Sequence, residues 1–385
     1  MAEFNQLSLD LASLSVHADD DLTLVADVAS PLHVSTTYHY ETDPSKLISA
    51  KERDIISSGA FIYSRFGTPV TQRVEAVLSQ IVHGHAVVYA SGLSAYTAAL
   101  AYYNPSHLAL ADGYHGSHGV AAIFNRLSGL KQIKPYDEAL GQGDLFHIES
   151  PINPTGESLD IAKAVEFAHS RGAKVIVDST FAPPPLQDPF EFGVDMVMHS
   201  ATKYFGGHSD LLAGILVTKD PEVAQQLLKD RAMFGSAPGN METWLLLRSL
   251  RSYKLRVTTQ AHNGVKIVEF LSKGLTSGEL PVLTKVYHSS LQKEAFVTEQ
   301  LNRGLYNPTF SIEVKTALIA KSLPSKLKLF HHATSLGGVE SLIEWRAMTD
   351  KTVPDTLLRL SIGVEDVEDL IADLRQALAA SVDLL

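Results

Sequence analysis

The sequence predicts a two-domain α/β protein, on three observations. Helical and strand patterns alternate from about residue 70 onward. A chain of 385 residues exceeds one ordinary core. Two apolar, β-branched runs, Val175-Ile176-Val177 and Val194-Asp195-Met196-Val197-Met198, each end in polar groups. Such alternation implies a parallel sheet with helices on both faces, and in such sheets ligands sit beyond the carboxyl ends of the strands. Asp178 closes the first run, and Ser200, Thr202 and Lys203 close the second.

Taken in order, residues 1–45 show little periodicity and read as an arm that packs on something else, with a β-like stretch at His33–Tyr38. Val70, Val74, Val77, Leu78 and Ile81 form a helical stripe over Val70–Val82. Ala86–Tyr89 is a short strand, and Ser91-Gly92 opens a helix from Leu93 to about Tyr103, stopped near Asn104-Pro105. Strands follow at His107–Ala111 and Leu145–Ile148, and a helix starts at Ser158 and Asp160 and ends at Arg171-Gly172. Asp220-Pro221 is an N-cap with proline at the first helical position. Met241 to about Leu271 lacks proline and predicts one long helix, kinked near Gly264. Beyond it the pattern predicts a smaller α/β layer with a mostly antiparallel sheet. Its strands fall near Val282–Tyr287, Thr309–Val314 and Leu357–Ile362, and its helices near Gln292–Asn302, Lys315–Phe330 and Val367–Ala380. The expected division is an arm (1–45), a large cofactor-binding domain (46–240) and a C-terminal domain (241–385) entered through the long helix 241–271.

Composition narrows the function. There is no cysteine, which excludes disulfides, cysteine nucleophiles and thiolate metal sites. A net charge of −11 without a cationic cluster argues against a nucleic-acid partner. No apolar run reaches the ~18–20 residues of a membrane span, and the start lacks the basic and apolar regions of a secretory signal. The expected location is therefore cytoplasmic. Of the 16 histidines, the closest groupings are His83/His85, His115/His118 and His331/His332. None has His-Glu-x-x-His spacing, so no metal is expected.

A carboxylate, two hydroxyls and an amine converging on one cleft fit pyridoxal phosphate (PLP). The Lys203 amine would hold its aldehyde, Ser200 and Thr202 its phosphate, and Asp178 would keep the ring nitrogen protonated. A lone lysine at a strand end is ordinarily solvated, but here the surrounding run is specific. Asp178-Ser179-Thr180-Phe181-Ala182, followed by His199-Ser200-Ala201-Thr202-Lys203-Tyr204-Phe205-Gly206-Gly207-His208-Ser209-Asp210, resembles the cofactor-lysine signature of the Cys/Met-metabolism PLP enzymes. That family includes the cystathionine γ-synthases, cystathionine γ- and β-lyases, methionine γ-lyases and homoserine sulfhydrylases. The resemblance implies an aminotransferase-like PLP-dependent transferase fold. Its large domain carries a mostly parallel, seven-stranded sheet, and a smaller α/β domain follows at the C-terminus.

Further runs extend the resemblance. Ala90-Ser91-Gly92-Leu93 is similar to a turn whose backbone N–H groups, here those of Gly92 and Leu93, bind the phosphate. Tyr114 in Asp112-Gly113-Tyr114-His115-Gly116 matches the aromatic plate stacked on the pyridine ring, a contact of about 1 kcal/mol. Tyr114 and Lys203 are thus the implied catalytic pair. Glu149-Ser150-Pro151-Ile152-Asn153-Pro154-Thr155-Gly156 places Asn153 beside cofactor and substrate. In Leu357–Glu365, Arg359 would grip the α-carboxylate of a small amino-acid substrate, and the loop Ser335–Ser341 would line its pocket through Ser335. Tyr63-Ser64-Arg65-Phe66-Gly67-Thr68-Pro69 resembles a segment whose tyrosine and arginine reach a neighbouring subunit's cofactor phosphate. Arginine suits that contact because its planar fork pairs with phosphate. By this likeness Tyr63 and Arg65 imply a homo-oligomer built on an active-site dimer, by family habit a dimer of dimers.

Two departures bear on the reaction. Gly119 stands where family members handling cystathionine or cysteine usually have an arginine, and Thr334 where the γ-synthases and many γ-lyases have a glutamate. The expectation is γ-replacement on an O-activated homoserine by a smaller or uncharged nucleophile: sulfide, a thiol or a stabilised carbanion. The alternative is elimination of the cystathionine γ- or β-lyase or methionine γ-lyase type. A non-catalytic PLP-binding protein would have lost the lysine or the carboxylate, and both are present. A nucleotide-binding protein would need Gly-x-Gly-x-x-Gly after the first strand, which is absent.

Overall fold

β-branched and apolar runs form the strands of a seven-stranded sheet in the first half of the chain: β1 (His85–Tyr89), β2 (His107–Leu110), β3 (Lys131–Ile133), β4 (Leu145–Glu149), β5 (Lys174–Asp178), β6 (Met196–Ser200) and β7 (Gly214–Thr218). The computed structural model describes residues 9–56, 59–301 and 304–385. The strand order is β1-β7-β6-β5-β4-β2-β3. β7 runs antiparallel to both neighbours, whereas β6, β5, β4, β2 and β3 are mutually parallel. The helices of this half are α1 (Leu11–His17), α2 (Pro69–Ile81), α3 (Gly92–Tyr103), α4 (His115–Ser128), α5 (Ile161–His169) and α6 (Pro221–Phe234).

Local chemistry explains the helix starts. Thr68 caps α2 by accepting from the Thr71 N–H, with Pro69 at the first position. The stripe Val70, Val74, Val77, Leu78 and Ile81 is fully buried, each side chain contributing roughly 1.5–3 kcal/mol. Asp220 caps α6 by accepting from Glu222 N–H, and Gly235 ends it in the left-handed region.

The second half continues with α7 (Asn240–Leu250), α8 (Tyr253–Ser277), β8 (Leu283–Tyr287), α9 (Ala295–Gln300), β9 (Thr309–Val314), α10 (Ala317–Ser322), β10 (His331–His332), β11 (Leu342–Trp345), β12 (Leu357–Ser361) and α11 (Val367–Ala379). Its sheet has the order β10-β11-β12-β9-β8 and is antiparallel except for the β10–β11 pair. One apolar cluster of α8, α11 and this sheet forms its core, while two others cover the faces of the large sheet.

Several expectations are corrected. The predicted single helix 241–271 is two helices, α7 and α8, interrupted at Arg251-Ser252. Tertiary contacts set the break: the Arg251 guanidinium donates to the Ser15 and Val16 carbonyls and to the Asp19 carboxylate. Gly264 lies inside α8, where a Cβ would stand 3.0 Å from the Pro308 Cα, so glycine there admits a neighbouring strand of chain. The arm contains α1, packed on α2 and α8, and among the described residues the stretch His33–Tyr38 forms no strand but one isolated bridge, Thr37 to Tyr63. The helix expected over Lys315–Phe330 is the short α10 followed by a 3-10 turn at Leu323–Lys326, where Pro324 cannot continue it. That expected over Gln292–Asn302 is α9; Asn302 and residues 1–8 lie outside the described residues.

Candidate active site

Because β4, β5 and β6 are parallel, their carboxyl ends lie side by side, with Glu149 opposite Asp178 and Asp178 opposite Met198. A cavity of about 610 Å³ opens at these ends. Asp178 and Lys203 border it from the large sheet, and Ser335 and Arg359 from the C-terminal half.

At the floor, Asp178 is buried. Its Oδ1 accepts from the Thr180 N–H at 3.0 Å and the Thr180 hydroxyl at 2.6 Å. Burial pushes the Asp178 carboxyl up, against these two hydrogen bonds. Thr180 Oγ1 in turn accepts from the Ser200 N–H at 2.8 Å, which ties β5's end to β6's. Glu149, also buried, accepts from the Tyr114 and Asn153 N–H groups, both at 2.8 Å. Burial, reinforced by the nearby Asp178 charge, pushes Glu149 up to about 8. This carboxyl fixes the turns that carry Tyr114 and Asn153.

Lys203 follows β6 through a tight turn, its N–H donating to the Ser200 carbonyl at 3.1 Å. Its Nζ donates to Ser335 Oγ at 2.7 Å. Burial, and then the Arg359 cation, lowers the amine to about 8. An amine so placed can give up and take a proton near neutral pH. Arg359, on β12, is held on three sides. It donates to Asn153 Oδ1 (3.0 Å), the Ser335 carbonyl (2.9 Å) and Glu344 Oε2 (2.7 Å).

Anion-binding character gathers at the start of α3. Ser91 caps the helix by accepting from Ser94 N–H, leaving the N–H groups of Gly92 and Leu93 without an intrahelical acceptor. Gly92 sits so close to Ser200 that a Cβ would stand 3.2 Å from the Ser200 Cβ. A Cβ on Gly214 would run into the Ser91 carbonyl. Ser91, Gly92, Leu93, Ser200 and Thr202 all border the cavity. The Thr202 hydroxyl, however, both donates to the Ala213 carbonyl (3.2 Å) and accepts from its N–H (3.1 Å). Tyr114 stands at the N-cap position of α4 without a side-chain capping bond, and Gly116 leaves room for its ring.

The cavity thus brings together ten of the twelve residues singled out in the sequence: Gly92, Leu93, Tyr114, Asn153, Asp178, Ser200, Thr202, Lys203, Ser335 and Arg359. Tyr63 and Arg65 do not border it. Tyr63 is 44% exposed, and Arg65 donates to the Ala232 carbonyl at 2.8 Å with its guanidinium 4.7 Å from the Phe66 ring centre. Three groups at this site had no motif to reveal them: Glu344, Arg346 and Thr349. Arg346 and Thr349 border the cavity, and Glu344 accepts from both, as it does from Arg359.

The model of the Cys/Met metabolism PLP-dependent enzymes matches residues 12–379. The chain belongs to this family. It is 34% identical over 345 residues to a cystathionine gamma-synthase of Mycobacterium tuberculosis, covering 83% of this chain and 87% of that one. It is 31% identical to a cystathionine beta-lyase of Lactococcus lactis, over 91% and 94% of the two chains. Among solved structures, the cystathionine gamma synthase of Xanthomonas oryzae pv. oryzae, in complex with aminoacrylate and cysteine, superposes with a TM-score of 0.87 at 27% identity, covering 98% and 100%. The protein is therefore a PLP-dependent enzyme of the cystathionine synthase and lyase type. The residues present fit the cofactor: a buried amine of lowered basicity and a buried carboxyl group border one cavity, beside a helix start whose glycine leaves space that a side chain would fill. Among the described residues no helix is long and apolar enough to cross a membrane.

Proposed function

We propose that the enzyme catalyses γ-replacement on an O-activated homoserine. The bound cofactor supplies an electron sink for the carbanion at the substrate's α-carbon. Arg359 takes the α-carboxylate and so orients the α-hydrogen; Asn153 and Glu344 hold the guanidinium in place. The Lys203 amine would hold the cofactor's aldehyde and, when free, would take the α-proton and carry one at the β-carbon. Ser335 Oγ, 2.7 Å from Nζ, steadies it on the side facing Arg359. With the cofactor bound, Asp178 would stabilise positive charge on its ring nitrogen, Tyr114 would lie against its ring, and the N–H groups of Gly92 and Leu93 with the hydroxyls of Ser200 and Thr202 would hold its phosphate. Thr202 would take that role by turning its hydroxyl from the Ala213 carbonyl. Tyr63 and Arg65, outside this cavity, would complete that of a second copy, making the working unit a homodimer or a pair of such dimers.

The observation that carries an amino-acid reaction is the convergence of Lys203, Ser335 and Arg359. Replacement rather than elimination is supported by the γ-synthase relative, and elimination, the second reading, by the β-lyase relative. Incubation with O-acetylhomoserine and a panel of sulfide, thiol and carbanion nucleophiles, read by mass spectrometry, tests the choice. Adduct formation at the γ-carbon supports replacement. No turnover of that donor together with rapid cleavage of cystathionine would overturn it.

A further inference from the structure

γ-Replacement by a thiol or sulfide leaves one proton without a destination. Such a nucleophile arrives protonated, and the thiolate rather than the thiol attacks. The protons at the α- and β-carbons fall to Lys203. Asp178 lies at the floor with Oδ1 engaged twice by Thr180. Glu149 spends one oxygen on the Tyr114 N–H and the other on the Asn153 N–H. The arginines bordering the cavity are donors only. Among the described residues that border it, His115 alone carries an imidazole, the group that most often takes a proton in catalysis.

Its position suits the step. His115 is the first residue of α4, directly after Tyr114, and the two rings lie 4.8 Å apart. The side chain is exposed and borders the cavity, so it stands at the mouth, whereas Asp178 and Arg359 are buried. Neither ring nitrogen is hydrogen-bonded to a described residue, and a neutral imidazole has one nitrogen able to accept. Gly119 lies one turn further along the same face of α4, and a Cβ there would meet nothing within 4 Å. No side chain from that turn covers the imidazole. A donor held by its α-carboxylate at buried Arg359 is met by its nucleophile from the solvent side, past this residue.

We propose that His115 is a catalytic residue, the general base for an incoming thiol or sulfide. The inference rests on the reading of the reaction as γ-replacement. The sulfur gives its proton to the free ring nitrogen, and the electron pair so released forms the carbon–sulfur bond at the γ-carbon. The carbon–oxygen bond at that carbon breaks with its pair on the departing carboxylate, and the proton passes from His115 to solvent through the mouth.

The test compares two thiols of different acidity, mercaptoethanol and the more acidic trifluoroethanethiol, added to PLP-loaded enzyme with O-acetylhomoserine and read by mass spectrometry. His115→Ala should slow mercaptoethanol addition by about 10²-fold, the low end of general-base catalysis, and trifluoroethanethiol addition by about tenfold or less, because that thiol ionises more readily unaided. Added imidazole should restore part of the loss. Exchange of the α-hydrogen of L-norleucine in deuterated water, a step assigned to Lys203, should persist in the variant. Equal loss for both thiols, or loss of exchange in step with addition, overturns the assignment. Absence of adducts from the wild type with both thiols sinks γ-replacement and this role with it; adducts formed by wild type and variant at one rate sink this role alone.

Discussion

Lys203 should capture its cofactor at a pH where an exposed lysine barely reacts. Its amine stands at about 8 against an ordinary 10.5, so at pH 7.5 roughly a quarter of it is neutral, compared with about one part in a thousand for a solvated lysine. The advantage in reactive amine is on the order of 10²-fold. The first cause is burial, the second the Arg359 cation. Arg359→Gln should therefore move the titration upward without returning it to 10.5. The assay incubates apoprotein with PLP across pH 6–11, fixes the adduct with borohydride, and reads residue 203 by mass spectrometry. Half-maximal labelling is expected near pH 8 in the wild type and at higher pH in the variant. A wild-type midpoint above pH 10, or a variant midpoint at or below the wild type's, would refute the reasoning. The sign carries over to stability. Between about pH 8 and 10.5 the unfolded chain binds more protons at this lysine than the folded one, so its contribution to stability rises with pH across that window, by about 3 kcal/mol in all.

Other outcomes follow from the same geometry. Asp19 is fully buried and accepts from Arg73 Nε at 2.5 Å and from both Arg251 amino nitrogens at 2.7 and 2.8 Å. Asp19→Ala should cost about 3–5 kcal/mol, measured by denaturant unfolding, because two guanidiniums lose their shared anion. The Asp19 carboxyl, which the two arginines hold below its ordinary 3.8 despite burial, contributes fully above that value and ceases to as pH falls through its lowered one. Gly92→Ala should raise the apparent dissociation constant for PLP by about tenfold with little change in unfolding midpoint, since the new methyl meets Ser200 at 3.2 Å; unchanged affinity would argue against phosphate at this turn. Mixing inactive Arg65→Ala and Lys203→Ala subunits should restore activity in hybrid dimers, which carry one intact site; no recovery on mixing would remove Tyr63 and Arg65 from the neighbour's site.

Much of the fold was readable because local signals and tertiary packing agree. The stripe of α2 and the Asp220-Pro221 start of α6 are instances. The single helix expected over 241–271 failed because its break carries neither proline nor glycine. Arg251 makes it by turning to Ser15, Val16 and Asp19, more than two hundred residues away in sequence. Lys203 and Asp178, which border the cavity, were legible as motifs at strand ends. Arg346 was not, because nothing in Trp345-Arg346-Ala347 marks a cavity. The pairing of β11 with β12, which sets Glu344 opposite Arg359, brings that segment to the cavity.

Part of the lowered basicity of Lys203, after burial, comes from a cation that arrives much later in the chain. The strand bearing Arg359 and the loop bearing Ser335 belong to the C-terminal half. A molecule whose C-terminal sheet is detached keeps the lysine but loses the neighbour that helps strip its proton. Cofactor loading and closure of the molecule are thus thermodynamically linked: each favours the other, and fragments ending before β9 should stain poorly with the vitamin even when their large sheet is intact.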